Sequence, residues 1–444
     1  MKKSLFLMAA ASALMLTACT NEDATNESVV SGAQAVSFDT YVPNATRAGD
    51  TGPQTTATLQ ASGKGFGVFA QVSNDGDYAA ATGSNFMYNQ HVTYTSPSWI
   101  YSPIKYWPNE TTADMLSVTG HASSTATDKL SFFAYAPYVT ATPGTGAVAA
   151  SNADTNNEAT PDDIEAGITA LSANDATTDP TVSYTMAYTP TKSVDLLWGV
   201  APSGGLSYTA VNNGAISIAQ GLPLKDLVKP STNQKIKFLF KHALARLGLT
   251  VVAAVDQIAP GGTLDGNTKI YVNSVTIEDA ASPKALAPTG TLNLNNASAG
   301  IANWTLGTKE KFKLVLNSTR NLNPTIQRGS TGVTTAEQDV IAPVLTDKQY
   351  FMIIPTEGNA KAKFKVTIDY DVETTDANLA DGKSTVNNVI WKEIEVGDDT
   401  NGFTNNKAYT LKLILGLTSV KLAAEVAEWE VEGDIDVDLP RNQE

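Results

Sequence analysis

The most regular stretch of the chain is Glu428 to Leu439, in which every odd position is apolar or glycine and every even one is acidic. A period of two is that of a strand with one buried face, and side chains on that face stand ~6.7 Å apart. Val431, Ile435, Val437 and Leu439 form the apolar row, and Pro440 ends the pattern. A row of acids repels itself on an isolated strand, so the segment is stable only when its apolar side is buried. Two beds are open to it: its own domain, as a last strand, or a groove elsewhere.

A second run of the same kind lies near the start. Ala35 to Val42 sets Val36, Phe38 and Val42 at even positions, with Tyr41 beside them, and Pro43-Asn44 stops it. Between the two runs, short extended segments recur at Gly65–Val72, Asn85–Tyr94, Trp99–Pro108, Leu130–Tyr138 and Val194–Gly199. They continue at Ile270–Ile277, Leu292–Leu294, Phe312–Leu316, Gln349–Ile354, Lys363–Val372, Val389–Val396 and Tyr409–Leu415. Ile236 to Val252, the most apolar run after the leader, reads as one bent strand, because Gly248 and its β-branched tail disfavour a helix. Thr140 to Asp179 lacks periodicity and reads as a long surface loop. Short strands punctuated by Gly, Asn, Asp and Pro predict an all-β protein of β-sandwiches, divided just before Lys229-Pro230.

Ahead of all this stands an export signal. Met1, Lys2 and Lys3 are followed by the apolar run Leu5–Leu16 and by Leu16-Thr17-Ala18-Cys19, a bacterial lipobox. The run is too short for a bilayer, which takes about twenty residues, so the anchor is lipid on Cys19. A linker rich in Asn, Thr, Ser and Glu follows up to Ser31. Past the first strand, Arg47 sits among small and polar residues, Asn44 to Asp50, in a turn that a protease can reach; it is either a cleavage site or an ordinary loop arginine.

Composition narrows the chemistry. The net charge of −15 over 444 residues argues against nucleic acid or an anionic membrane as the main partner. Cys19 is the single cysteine, so no intrachain disulfide forms. The three histidines, His91, His121 and His242, are far apart and unlike HExxH, and no G-x-S-x-G occurs. His242, in an apolar run, reads as a core residue with a hydrogen bond. Gly382-Lys383-Ser384 is a turn and not a phosphate loop, and Gly65 to Ala70 is a strand and not a dinucleotide fingerprint. Asp434, Asp436 and Asp438 lie too far apart on a strand, ~6.7 Å, to share one calcium ion. No catalytic site, metal or cofactor is expected. Trp99, Tyr101, Tyr106 and Trp107 are either core or a surface on which sugar rings stack.

Taken in order, these features resemble the Bacteroidales fimbrillins, subunits of the type V pilus. The likeness is carried by the lipobox at Cys19, the Phe38 strand before Ala45-Thr46-Arg47-Ala48, Trp99 to Pro108, Ser131 to Tyr138, Asp195-Leu196-Leu197, Phe240 to Leu247, and the Tyr409 to Trp429 region. The resemblance implies a signal peptide at 1–18, a lipidated propeptide at 19–47, and two tandem transthyretin-like β-sandwich domains at 48–228 and 229–444. It further implies an outer-membrane precursor, palmitate or similar lipid on Cys19, and a cut between Arg47 and Ala48 by an arginine-specific or trypsin-like protease. The first strand, with Val36, Phe38, Tyr41 and Val42, then leaves. The C-terminal segment of another subunit, with Val431, Ile435, Val437 and Leu439, takes its groove by donor-strand exchange. Expected partners are other pilus subunits, in a homopolymer, and ligands on host or bacterial surfaces. A stalk position fits the presence of both Arg47 and the terminal strand; the alternatives are a tip adhesin or a surface glycan-binding lipoprotein.

Overall fold

The structure, a computed structural model, describes residues 34–42, 54–61, 63–73, 77–79, 84–108, 128–148, 167–173, 178–202, 221–229, 235–253, 268–279, 286–297, 300–309, 313–317, 338–339, 350–356, 362–396, 402–415 and 420–428. In chain order it begins with β1 (Phe38–Tyr41), the short helix α1 (Thr56–Leu59), β2 (Phe66–Ser73), β3 (Ser84–Thr95), β4 (Ser98–Ile100) and β5 (Lys129–Ala136). There follow β6 (Gly167–Leu171), β7 (Thr181–Thr185), β8 (Leu197–Val200), β9 (Leu224–Leu227), β10 (Ile236–His242), β11 (Ala245–Ala253) and β12 (Thr268–Asp279). The last elements are β13 (Thr289–Asn293), β14 (Asn303–Leu306), β15 (Lys313–Asn317), β16 (Gln338–Asp339), β17 (Phe351–Ile353), β18 (Ala362–Thr375), β19 (Lys383–Val396), β20 (Lys407–Leu415) and β21 (Val420–Glu428). The all-β expectation holds.

Among the described residues the strands form four sheets. The first has the order β1-β10-β8-β5-β2-β3-β4, with β9 also on β5. The second is β16-β11-β20-β21, with β17 also on β11; the third is β15-β12-β18-β19; the fourth is β14-β13-β7-β6. Two of them draw on strands from both sides of residue 229: β10 lies in the first sheet, and β13 pairs with β7 in the fourth.

The first sheet separates two cores. Every residue of β2 is buried, so both faces of that strand are covered. Its even positions, Phe66, Val68, Ala70 and Val72, join Phe38, Phe132, Phe238 and Phe240 in one apolar cluster. Phe69, with Phe133, Tyr135 and Trp198, faces the other, which it shares with Leu247, Val275, Phe351, Val366 and Tyr409. A close approach of strand and ring demands glycine at position 67, where a Cβ would stand 2.3 Å from the Tyr135 ring. These strands follow the period read from the sequence: β10 alternates buried and half-buried residues along its whole length.

Two expectations need correction. Ile236 to Val252 is two strands in different sheets, not one bent strand. The chain turns at Ala243 and Leu244, where the Ala243 N–H donates to Leu196 O at 2.8 Å and Leu244 O accepts from the Asn406 N–H at 3.0 Å. Both side chains are fully buried, so the corner is as apolar as the strands it joins. Gly248 serves a different purpose from bending: a Cβ there would press within 3.2 Å of the Tyr350 ring, and Arg246 lies over that same ring, 4.3 Å from its centroid. The stretch Thr140 to Asp179 also holds a strand, β6, because Ile168 and Leu171 find a buried face against β7.

Candidate functional site: the first strand and its bed

β1 is short, yet it is held from both sides. Toward β10 it runs parallel, with Phe38, Asp39, Thr40 and Tyr41 opposite Ile236, Lys237, Phe238 and Leu239. The Ile236 N–H donates to Ser37 O at 2.7 Å. On its other side the approach to β1 bridges antiparallel to the segment after β4, through Ala35 and Tyr106. There the Val36 N–H donates to Lys105 O at 2.9 Å and the Trp107 N–H to Gln34 O at 3.0 Å. The strand therefore fills a gap between β10 and residues 105–107, and without it both neighbours lose main-chain partners.

Its side chains seat in the first core. Val36, Phe38 and Val42 are 1%, 0% and 3% exposed, whereas Ser37, Asp39 and Thr40 are half-buried. The Phe38 ring lies 5.3 Å from Tyr101, 5.9 Å from Phe132, 6.1 Å from Phe238 and 6.4 Å from Phe66. Each buried apolar side chain of this size contributes about 1.5–3 kcal/mol, so three of them supply about 5–9 kcal/mol as an upper bound. The Thr40 hydroxyl donates to Phe238 O at 3.1 Å, which places a small polar group between the Phe38 and Val42 anchors.

Tyr101 fastens the bed to the strand. Its hydroxyl donates to Val36 O at 2.7 Å and accepts from the Lys105 N–H at 3.2 Å. Burial pushes its phenol well above the usual tyrosine range, so the donor form persists at neutral and mildly alkaline pH.

The exit from β1 and the restart of the chain meet. The Val42 N–H donates to the Thr56 hydroxyl oxygen at 3.0 Å. Thr56 opens α1, which is set by a capping box: the Thr58 N–H donates to Thr55 Oγ1 at 3.0 Å and the Thr55 N–H to Thr58 Oγ1 at 2.8 Å. Just before it, the Gln54 N–H donates to Asp195 Oδ2 at 2.8 Å, and the same oxygen lies 2.7 Å from His242 Nδ1. Asp195 and His242 are both buried, and the hydrogen bond expected for a core His242 is to this carboxylate. Residues 43–53, including Arg47 and Ala48, thus join two anchored ends and lie outside the described residues.

Cys19 and the terminal anchors Val431, Ile435, Val437 and Leu439 also lie outside the described residues. Val36, Phe38 and Val42 come together on one buried face, and Tyr41 ends the same strand. Trp99, Tyr106 and Trp107 are core, not a surface for sugars: Trp99 packs on Phe66 and Tyr94, and Trp107 on Phe132. The contacts of Tyr101 with Val36, Thr56 with Val42 and Asp195 with Gln54 had no local signal, because they join residues 14 to 141 positions apart.

No protein-family model matches the chain. Fimbrium subunit Fim1C of Phocaeicola vulgatus is 24% identical to it over 425 residues, which span 92% of either chain. The chain is a relative of Bacteroidales fimbrial subunits. The fold is also similar to a solved one: a crystal structure of a fimbrial protein from Bacteroides vulgatus superposes with a TM-score of 0.54 at 19% identity, covering 89% of this chain and 99% of that one.

Proposed function

We propose that the chain is a structural subunit of a surface fimbrium, without a catalytic site, in which β1 holds the place of a strand from another copy. The observation that carries this reading is the position of β1: it is seated between β10 and residues 105–107 by three buried anchors, and Arg47 follows shortly after its last anchored residue, Val42. A cut after Arg47 leaves β1 held only by non-covalent contacts, while Asp195 and α1 keep the new N-terminal end on the domain. The lipid on Cys19 departs with the leader. Until then it retains the precursor at the outer membrane, since acyl chains contribute about 0.8 kcal/mol per buried CH₂.

The replacement strand is Val431 to Leu439 of a second copy. Its period matches that of β1, and its four anchors, at about 1.5–3 kcal/mol each, equal or exceed the three they displace. Exchange goes forward because the cut strand is lost by dilution, whereas the incoming one belongs to a large subunit. Possession of both a cut site and a donor strand supports a stalk position.

Low-dose trypsin on the purified precursor tests this reading. The expected result is a new N-terminus at Ala48 and a ladder of SDS-resistant oligomers, absent when residues 431–439 are deleted. Cleavage at Arg47 with no ladder under any condition overturns it.

A further inference from the structure

The outer edge of the third sheet is formed by β19. β18 and β19 form a hairpin whose register runs unbroken from Ala362 opposite Val396 to Thr375 opposite Lys383. β19 ends its sheet: among the described residues its ladder is with β18 alone. It contains no proline, and Val386, Val389 and Trp391 are 57%, 60% and 58% exposed. Long, straight edges with exposed apolar side chains are the kind that pair with another strand.

Charge identifies the occupant. Odd positions of β19 share the outer face, with Lys383 at one end, Val389 and Trp391 in the middle, and Glu393 and Glu395 at the other. Beside them on β18, Lys363 lies 3.1 Å from Glu395, and Glu373 lies 3.0 Å from Lys383. Such a strand is self-complementary when it meets its own copy antiparallel and self-repelling when it meets it parallel.

We propose that β19 pairs antiparallel with β19 of a second copy of this chain, about a two-fold axis at Val389. In that register Trp391 faces the partner's Asn387, and Glu395 faces the partner's Lys383. The row Lys363, Glu395, partner's Lys383, partner's Glu373 then alternates in sign across both hairpins. A slip of one residue turns Trp391 to the opposite face from its counterpart, and a slip of two parts Glu395 from the partner's Lys383. The acidic segment after Glu428 is a poor occupant for the same edge, because its acids would meet Glu393 and Glu395. The pairing is side by side and symmetric, uses no strand exchange and needs no cut, so it is tested on the uncut chain, where failure of the proposed fimbrial assembly has no bearing.

The experiment is sedimentation of the uncut chain over a concentration series, with tryptophan emission read in parallel. The wild type is expected to form a dimer, with a blue shift as Trp391 is covered. E395K and K383E each weaken it by roughly tenfold, two like-charge pairs replacing two unlike ones. An equimolar mixture of the two variants restores the dimer. In the mixed pair the lysine introduced by E395K meets the glutamate introduced by K383E, and the unaltered Lys383 of the first variant meets the unaltered Glu395 of the second. This recovery also shows both variants to be folded. A variant stopped after Glu428 dimerises as the wild type does. A monomer at all concentrations, no recovery on mixing, or loss of the dimer on removing residues 429–444 overturns the proposal, the last by naming the C-terminal segment as the occupant.

Discussion

His242 Nδ1 and Asp195 Oδ2 meet 2.7 Å apart in the core, and that one oxygen also takes the backbone N–H of Gln54. The pair thus ties Gln54, just ahead of α1, to β10 and to the segment before β8. Asp195→Ala deprives both groups of their acceptor in a dry site and is expected to cost about 2–4 kcal/mol, whereas Asp195→Asn, which keeps an acceptor oxygen, costs less. Denaturant melts of the two variants check the order.

In the proposed exchange Phe38 belongs to the uncut chain and not to its product. Phe38→Ala opens a cavity among Tyr101, Phe132, Phe238 and Phe66, and is expected to destabilise the uncut chain by about 3–5 kcal/mol. After the cut and release of β1, the variant and the wild type are the same molecule. Their melting curves should then coincide.

Tyr101 gives the leader a pH dependence. Its folded pKa is raised above the ordinary value by burial, so its stabilising contribution is complete below the unfolded value of about 10 and is lost as pH rises from there toward the folded one. Tyr101→Phe removes the bond to Val36 O, costs about 0.5–1.5 kcal/mol, and takes away this group's share of the alkaline loss. Hydrogen exchange of the 34–42 peptide across the alkaline range measures both effects.

In the proposed exchange, an antiparallel entry that sets Ile435 and Val431 at the Phe38 and Val42 sites puts Gly433 at the Thr40 slot. The same register brings Val437 to the Val36 site, whereas a parallel entry would carry Val437 and Leu439 beyond Val42. Gly433→Thr is therefore expected to assemble and Gly433→Trp to stop assembly while leaving cleavage at Arg47 intact, as a trypsin ladder would show.

How much of this was legible in the sequence depends on the range of the cause. Val36, Phe38 and Val42 announce a one-faced strand because burial acts through the local period, and the core strands β2, β5, β10 and β18 are visible for the same reason. That β1 lies parallel to β10 is not legible, since their pairing joins residues almost two hundred positions apart. β21, rich in Ala and Glu, carries no strand signal of its own; nine residues opposite Lys407–Leu415 decide it, a tertiary override of helix propensity. The corner at Ala243-Leu244 hides inside an apolar run because neither residue is a turn former, and its backbone is held by Leu196 and Asn406 instead. A core His242 with a hydrogen bond was legible from its apolar run, but that its partner is Asp195, shared with Gln54, was not.

Strand exchange is tested by binding of a labelled peptide spanning Glu428 to Pro440 to the chain before and after cleavage at Arg47. Strand exchange predicts no binding to the uncut chain, saturable binding once mass spectrometry shows that β1 has left, competition by a peptide of residues 34–42, and no binding when Ile435 and Val437 are replaced by Asp. Equal binding to cut and uncut chain, or none to a cut chain that has lost β1, would contradict it.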